Sequence, residues 1–410
     1  MSATWNSGTR RRESQMTAVL PKKSTIAVWG GETEHEPYER ATQVPVVNSV
    51  SFGYRDLDTW QAVALEQEPG HIYSRNTNPT VRAFEEKIRD LEGAEAATSF
   101  SSGMAAISGT FFALLRPGDR VVSIRDSYGG TNKLFTEFLP AFGIEVRLFA
   151  TSDFAQLEAE VARGCKLLYL ETPTNPTVKI VDIERLAEAA HAVGALAVVD
   201  NTFATPINQN PLELGADLVL HSATKYLGGH ADALGGAACG SRPLIRTLYH
   251  FREINGAALA PMDAYQLLRG MKTLALRVDR QNQSALTIAR WLQRHPVVEQ
   301  VNYPGLETHQ HHDVARRQMR GFGGVLSFSV RGDLDAIKLV LPRLRFAHRA
   351  ANLGCVETVV GPPLVTSHVE CTAEERAAAG IPDGLIRYST GIEDVSDLVA
   401  DLEYALAVLL

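Results

Sequence analysis

Cysteine is scarce in this chain: four thiols among 410 residues, at positions 165, 239, 355 and 371. No two stand at a metal-finger spacing, and thiols this scattered make no disulfide scaffold. The scarcity fits a reducing, cytoplasmic compartment. Basic residues are not in excess either: 40 Lys and Arg face 47 Asp and Glu, a formal charge of -7. Such a chain lacks the general electrostatic footprint for nucleic acid or an anionic membrane. No apolar run approaches the roughly 20 residues of a bilayer span. The first 23 residues carry Arg10, Arg11, Arg12, Lys22 and Lys23 but no apolar segment, so they do not form a secretory signal. What is present is a 45% hydrophobic, 21% charged composition, the profile of a folded chain rather than a disordered one. The length suffices for two cores.

The chain divides by pattern. Residues 1–60 comprise a polar tail, irregular to about 25, and an extended arm over 42–54 marked by Val44, Val46, Val47 and Val50. Residues 61–258 alternate short apolar runs (121–124, 145–149, 166–170, 196–199, 217–220) with helical periodicity (80–91, 103–115, 132–142, 154–162, 183–192). That rhythm predicts βαβ units and a largely parallel sheet, with polar residues at the strand ends as the candidates for a site. Residues 259–410 form a smaller α+β unit. In it, 262–294 is one long or broken helix, 323–330 and 385–389 are strands, and 334–341 and 395–409 are helices. There is no internal repeat.

The chemistry gathers where apolar runs end. Leu220 to His230 reads L-H-S-A-T-K-Y-L-G-G-H, which puts Lys225 just past a buried strand between hydroxyl residues. A lone loop lysine is most often a surface group; here Ser222 and Thr224 beside it suit a Schiff-base lysine with its cofactor phosphate. The 196–199 run finishes in Asp200-Asn201-Thr202. A carboxylate there is a turn or cap residue, or the partner of a protonated ring nitrogen. Ser101-Ser102-Gly103-Met104 opens a helix and is either an ordinary cap or a phosphate site. Neither G-x-x-x-x-G-K-[ST] nor a strand-linked G-x-G-x-x-G occurs.

Taken in order, these segments resemble the Cys/Met-metabolism family of pyridoxal-phosphate enzymes. The segments are Y-S-R-N-T-N-P-T (73–80), S-S-G-M (101–104), S-Y-G-G-T (127–131), E-T-P-T-N-P (171–176), V-V-D-N-T (198–202), H-S-A-T-K-Y (221–226), L-L-R-G-M-K-T-L (267–274) and L-I-R-Y-S-T-G-I-E-D (385–394). The resemblance runs from about Thr25 to the C-terminus. It implies an α/β chain of the aspartate-aminotransferase-like fold (type I), with a pyridoxal-phosphate-binding domain at 61–258 and a C-terminal domain at 259–410. It implies pyridoxal 5'-phosphate as cofactor and no metal.

Residue by residue, the resemblance makes Lys225 the cofactor lysine and mobile acid–base. Asp200 becomes the ring-nitrogen partner, and Tyr128 the stacking ring with a share in proton transfer. Asn175 reaches the ring hydroxyl, while Gly103, Met104, Ser222 and Thr224 hold the phosphate. Tyr73 and Arg75 reach a neighbouring subunit's phosphate, in a dimer that pairs into a tetramer. Arg387 clamps the substrate α-carboxylate, with Asn352 and Tyr73 also meeting substrate.

Family members run either γ-elimination or γ-replacement with the same groups, as cystathionine γ-synthases, γ-lyases and acylhomoserine sulfhydrylases. Gly228–Gly236 and Glu357 are similar to the synthase and γ-lyase branch. The Asn352-Leu353-Gly354 start and Thr366-Ser367-His368 are similar to the sulfhydrylase branch. Gly130 stands where methionine γ-lyases carry Cys, and Cys355 where Gly is common. On this mixture the sequence places elimination from a sulfur- or oxygen-linked γ position first and replacement second. The histidines of T-H-Q-H-H (308–312) are expected in a surface loop, and His221 and His230 to be structural.

Overall fold

The computed structural model describes residues 21–31, 41–369 and 372–410. Seven strands form the first sheet: β1 (Ala96–Phe100), β2 (Arg120–Ile124), β3 (Glu145–Phe149), β4 (Leu167–Glu171), β5 (Leu196–Asp200), β6 (Leu218–Ser222) and β7 (Gly236–Gly240). Their order is β1-β7-β6-β5-β4-β2-β3. The run β3-β2-β4-β5-β6 is parallel, and β7 is antiparallel to both β1 and β6. The central strands are largely apolar because helices cover both faces, with polar residues at the carboxyl ends of β4, β5 and β6; all five residues of β4 are buried. Parallel register aligns the carboxyl ends, so Glu171 stands opposite Asp200, and Asp200 opposite Leu220.

The sequence pattern anticipates the parallel strands but not β1 or β7. β7 reads Gly-Ala-Ala-Cys-Gly, with no β-branched or aromatic residue to mark it. Sterics dictate that composition. A Cβ on Gly236 would lie 2.1 Å from the Ser102 carbonyl oxygen, and one on Gly240 2.7 Å from that of Asp217. Backbone cannot retreat as a flexible side chain can. Gly236→Ala is therefore expected to cost about 3 kcal/mol of stability, read as a lower urea midpoint with an unchanged slope.

Local signals place the helices that frame the site. Pro79–Glu92 starts at Asn78, whose side chain accepts from the Thr80 and Val81 N–H groups, and closes on Gly93 at φ +73°. Gly103–Leu114 starts at Ser102, whose hydroxyl accepts from Ala105 N–H at 3.1 Å. The arm is extended as expected. Val47 N–H donates to Thr80 Oγ1 (2.9 Å), that hydroxyl donates to the Pro45 carbonyl (2.8 Å), and Ser51 pairs with Tyr73. Residues 1–20 of the expected tail lie outside the described residues, and the irregular stretch expected to about 25 ends earlier, because a helix runs over Lys23–Trp29.

A second sheet has five strands, β8 (Val298–Asn302), β9 (Val325–Val330), β10 (His348–Arg349), β11 (Val359–Gly361) and β12 (Leu385–Ser389), ordered β10-β11-β12-β9-β8. The long or broken helix expected over 262–294 is broken, into Pro261–Met271 and Leu274–Leu292. The second covers this sheet together with Val395–Leu406, sharing a core of Ile288, Leu292, Phe328, Ile386, Leu398 and Leu402. Among the described residues, no helix is long and apolar enough to cross a membrane.

Candidate active site

The carboxyl ends of β4, β5 and β6 open on a cavity of about 250 Å³. Lys225 follows β6 and enters this space. Its Nζ donates to Asn352 Oδ1 at 2.9 Å. Burial, and then the charge of Arg387, hold its pKa below the ordinary lysine value. A lysine so placed gives up its proton more readily than an exposed one.

Asp200 ends β5 with 7% of its surface exposed. Burial pushes its pKa up; hydrogen bonds from Thr202 and the nearby His221 oppose that shift. Thr202 N–H donates to Oδ1 at 2.9 Å, and Tyr169 Oη lies 3.4 Å from Oδ2. A cation beside this carboxylate would offset the cost of its burial. Glu171, one strand over, accepts from Tyr128 N–H (2.8 Å) and Asn175 N–H (3.2 Å). Burial and the neighbouring Asp200 push its pKa well above the usual carboxylate range. The sequence reading gave Glu171 no role. Its signal was available in E-T-P-T-N-P: an acidic residue ending a buried strand.

Arg387 enters from β12, 4% exposed. Nη1 donates to Asn175 Oδ1 (3.2 Å) and Nη2 to the Asn352 carbonyl (2.9 Å). Burial pushes its pKa down to about 10. Both acceptors are neutral, and among the described residues no carboxylate pairs with it. A buried guanidinium held this way is poised for an anionic partner.

Gly103 shows how tightly the helix start meets β6. A Cβ there would lie 2.6 Å from Ser222 Cβ and 2.9 Å from its Cα. The amino end of a twelve-residue helix thus lies directly against Ser222, a place suited to a phosphate. The site therefore offers an amine, a phosphate cradle, a buried carboxylate suited to a protonated ring nitrogen and a guanidinium suited to a carboxylate.

Of the residues expected from sequence, Gly103, Met104, Tyr128, Asn175, Asp200, Ser222, Thr224, Lys225 and Arg387 line the cavity. Asn352 joins them through Lys225. Tyr73 and Arg75 do not line it. Tyr73 is 41% exposed, with the Arg75 guanidinium 5.3 Å from its ring centre. Among the described residues, no group of His, Cys, Asp or Glu is placed to hold a metal.

His368 lies beside this constellation, its Nδ1 2.9 Å from Ser367 Oγ. Burial, and then the Arg387 charge, push its pKa down to about 4, from 6.5. Between those values the unfolded chain holds a proton that the folded chain refuses, so stability rises with pH across the window. Acidification from pH 7 to 5 is expected to lower Tm, and His368→Gln to flatten that dependence. An unchanged slope in the variant would remove His368 as a cause.

Residues 24–407 match the family model for the Cys/Met metabolism PLP-dependent enzymes. The chain is 44% identical over 366 residues to an L-methionine γ-lyase of Fusobacterium nucleatum subsp. polymorphum, covering 88% of this chain and 93% of that protein. It is 41% identical over 409 residues to an O-succinylhomoserine sulfhydrylase of Pseudomonas aeruginosa, covering 100% of each. A crystal structure of cystathionine γ-synthase from Xanthomonas oryzae pv. oryzae in complex with cystathionine superposes with a TM-score of 0.90. The two share 38% identity, over 95% of this chain and 98% of that one.

Proposed function

Since the chain belongs to the Cys/Met metabolism family of PLP-dependent enzymes, with the type-I fold and an amino-acid substrate bearing a γ leaving group, we propose that its reaction is γ-replacement. The substrate class is an O-acylated L-homoserine, and the incoming nucleophile is a thiol or sulfide. This reverses the order the sequence suggested. The observation that carries it is the contact between Asn352 Oδ1 and Lys225 Nζ. The residue that resembles the sulfhydrylase branch is the one that touches the amine. Two further points support it. The relative aligned end to end is a sulfhydrylase. At Gly130, where methionine lyases carry Cys, a Cβ would lie 2.9 Å from both Met104 Sδ and Tyr128 Cε1, so a side chain there would have to displace one of these two.

The cofactor supplies the electron sink that makes the substrate's Cα and Cβ protons acidic. Ser222, Thr224 and the Gly103 and Met104 N–H groups hold its phosphate. Asp200 would pair with its ring nitrogen, Asn175 would reach its ring hydroxyl, and Tyr128 would lie against the ring. The chain's own residues do the rest. Arg387 binds the α-carboxylate and fixes the Cα–H bond toward Lys225. Lys225, its basicity lowered by burial, takes and returns protons at Cα and Cβ. Asn352 accepts from the amine and orients it between these positions. Glu171 holds Tyr128 and Asn175 by their backbones. Tyr73 and Arg75, outside this chain's own cavity, complete the site of a neighbouring copy in a dimer, and two dimers pair as a tetramer.

The test is incubation with O-succinyl-L-homoserine, with and without cysteine or sulfide. Replacement gives a thioether or thiol amino acid only when the nucleophile is added. Ammonia and a 2-keto acid at the same rate in both arms would establish elimination instead.

A further inference from the structure

Cys355 has a place in this site that neither the family's usual glycine nor its own burial explains. Asn352 Nδ2 donates to Cys355 Sγ at 3.4 Å, and the thiol donates to the Leu353 carbonyl at 3.6 Å. The other end of the same amide, Oδ1, accepts both Lys225 Nζ and Leu353 N–H, each at 2.9 Å. The backbone around it is fixed from two sides: Gly354 N–H donates to Ser389 Oγ (2.9 Å), and Gln281 Nε2 donates to the Cys355 carbonyl (2.8 Å). With the backbone held, rotation of the Asn352 amide is the remaining freedom. A flipped amide would set its NH₂ against two donors, the Lys225 amine and the Leu353 N–H.

We propose that Cys355 is a positioning residue: its thiol holds the Asn352 amide with the oxygen toward Lys225, and so fixes where the amine stands. Accepting from Asn352 while donating to Leu353 requires the thiol rather than the thiolate, and burial favours that form. Cys355 is 1% exposed, which suits an internal hydrogen-bond partner and not a reactive group. Glycine at 355 would supply neither bond, so the device is specific to chains with an acceptor there. A Cys355→Ala change takes the sulfur partner from the half-buried amide NH₂ and frees the amide to rotate.

The inference rests on Lys225 being the cofactor lysine. Its test uses the full chain and two readouts. One is the split between kcat and the KM for the amino acid. The other is the rate at which the visible absorbance of bound cofactor appears when pyridoxal 5'-phosphate is added to cofactor-stripped protein. Cys355→Ala should lower kcat and that binding rate by about three- to tenfold, with KM changed less than about twofold. Cys355→Ser, which can accept and donate in the same way, should recover most of both. In an Asn352→Ala background, Cys355→Ala should add nothing further. Wild-type values in Cys355→Ala, or an equal loss in the Asn352→Ala background, would overturn the inference. A wild type with no visible band would overturn the functional reading, and this inference with it.

Discussion

Lys225→Ala is expected to lower turnover by at least about 10³-fold and to remove the visible absorbance that bound cofactor gives the wild type. Two losses combine. The variant has no amine to join the cofactor carbonyl, and no base within reach of the substrate's Cα. The fold should survive: among the described residues Lys225 makes one side-chain hydrogen bond, to Asn352, and it is not part of a hydrophobic core cluster. An unchanged Tm with both signals gone would separate the chemical role from a structural one. Retained turnover would place the chemistry elsewhere. Asn352→Ala should be milder, since it leaves the amine present but unguided.

Arg387→Leu is the second large effect. It removes the buried guanidinium proposed to bind the α-carboxylate, and strands Asn175 Oδ1 and the Asn352 carbonyl. We expect kcat/KM for the amino acid to fall about 10²-fold, the scale of a lost charge-assisted bidentate pair. The cofactor absorbance should persist, because the role proposed for Arg387 is to hold substrate and not phosphate. Arg387→Lys should recover only part, since an ammonium restores charge without the planar fork. A loss confined to cofactor retention would contradict the assignment.

These two residues also show what the sequence could reveal. Asp200 was legible because it ends a continuous apolar run, where a polar residue is costly unless used, and Lys225 because it follows such a run between hydroxyl residues. Arg387 follows an apolar pair within β12, and its role was legible through the family resemblance. Glu171 obeys the same rule yet was passed over, because its partners are backbone N–H groups of residues 128 and 175. Backbone donors leave no mark in a sequence. β7 was invisible for a different reason: its glycines and alanines answer to the Ser102 and Asp217 carbonyls, which only the folded sheet brings close. His221 was expected to be structural, and the fold supplies its partner. Its Nε2 meets Glu92 Oε1 at 2.6 Å in the interior, where Asn201 and Asn210 also donate to that carboxylate. No spacing rule links residues 92 and 221. The Asn352–Cys355 contact is local, but its meaning depends on Lys225 arriving from more than a hundred residues away.

The choice between replacement and elimination turns on what becomes of the substrate after its γ group leaves. A mass balance of O-succinyl-L-homoserine turnover under saturating cysteine measures that directly. Most of the consumed substrate should appear as the thioether amino acid, with keto acid and ammonia as minor products. Keto acid and ammonia matching the substrate consumed, with cysteine untouched, would contradict it.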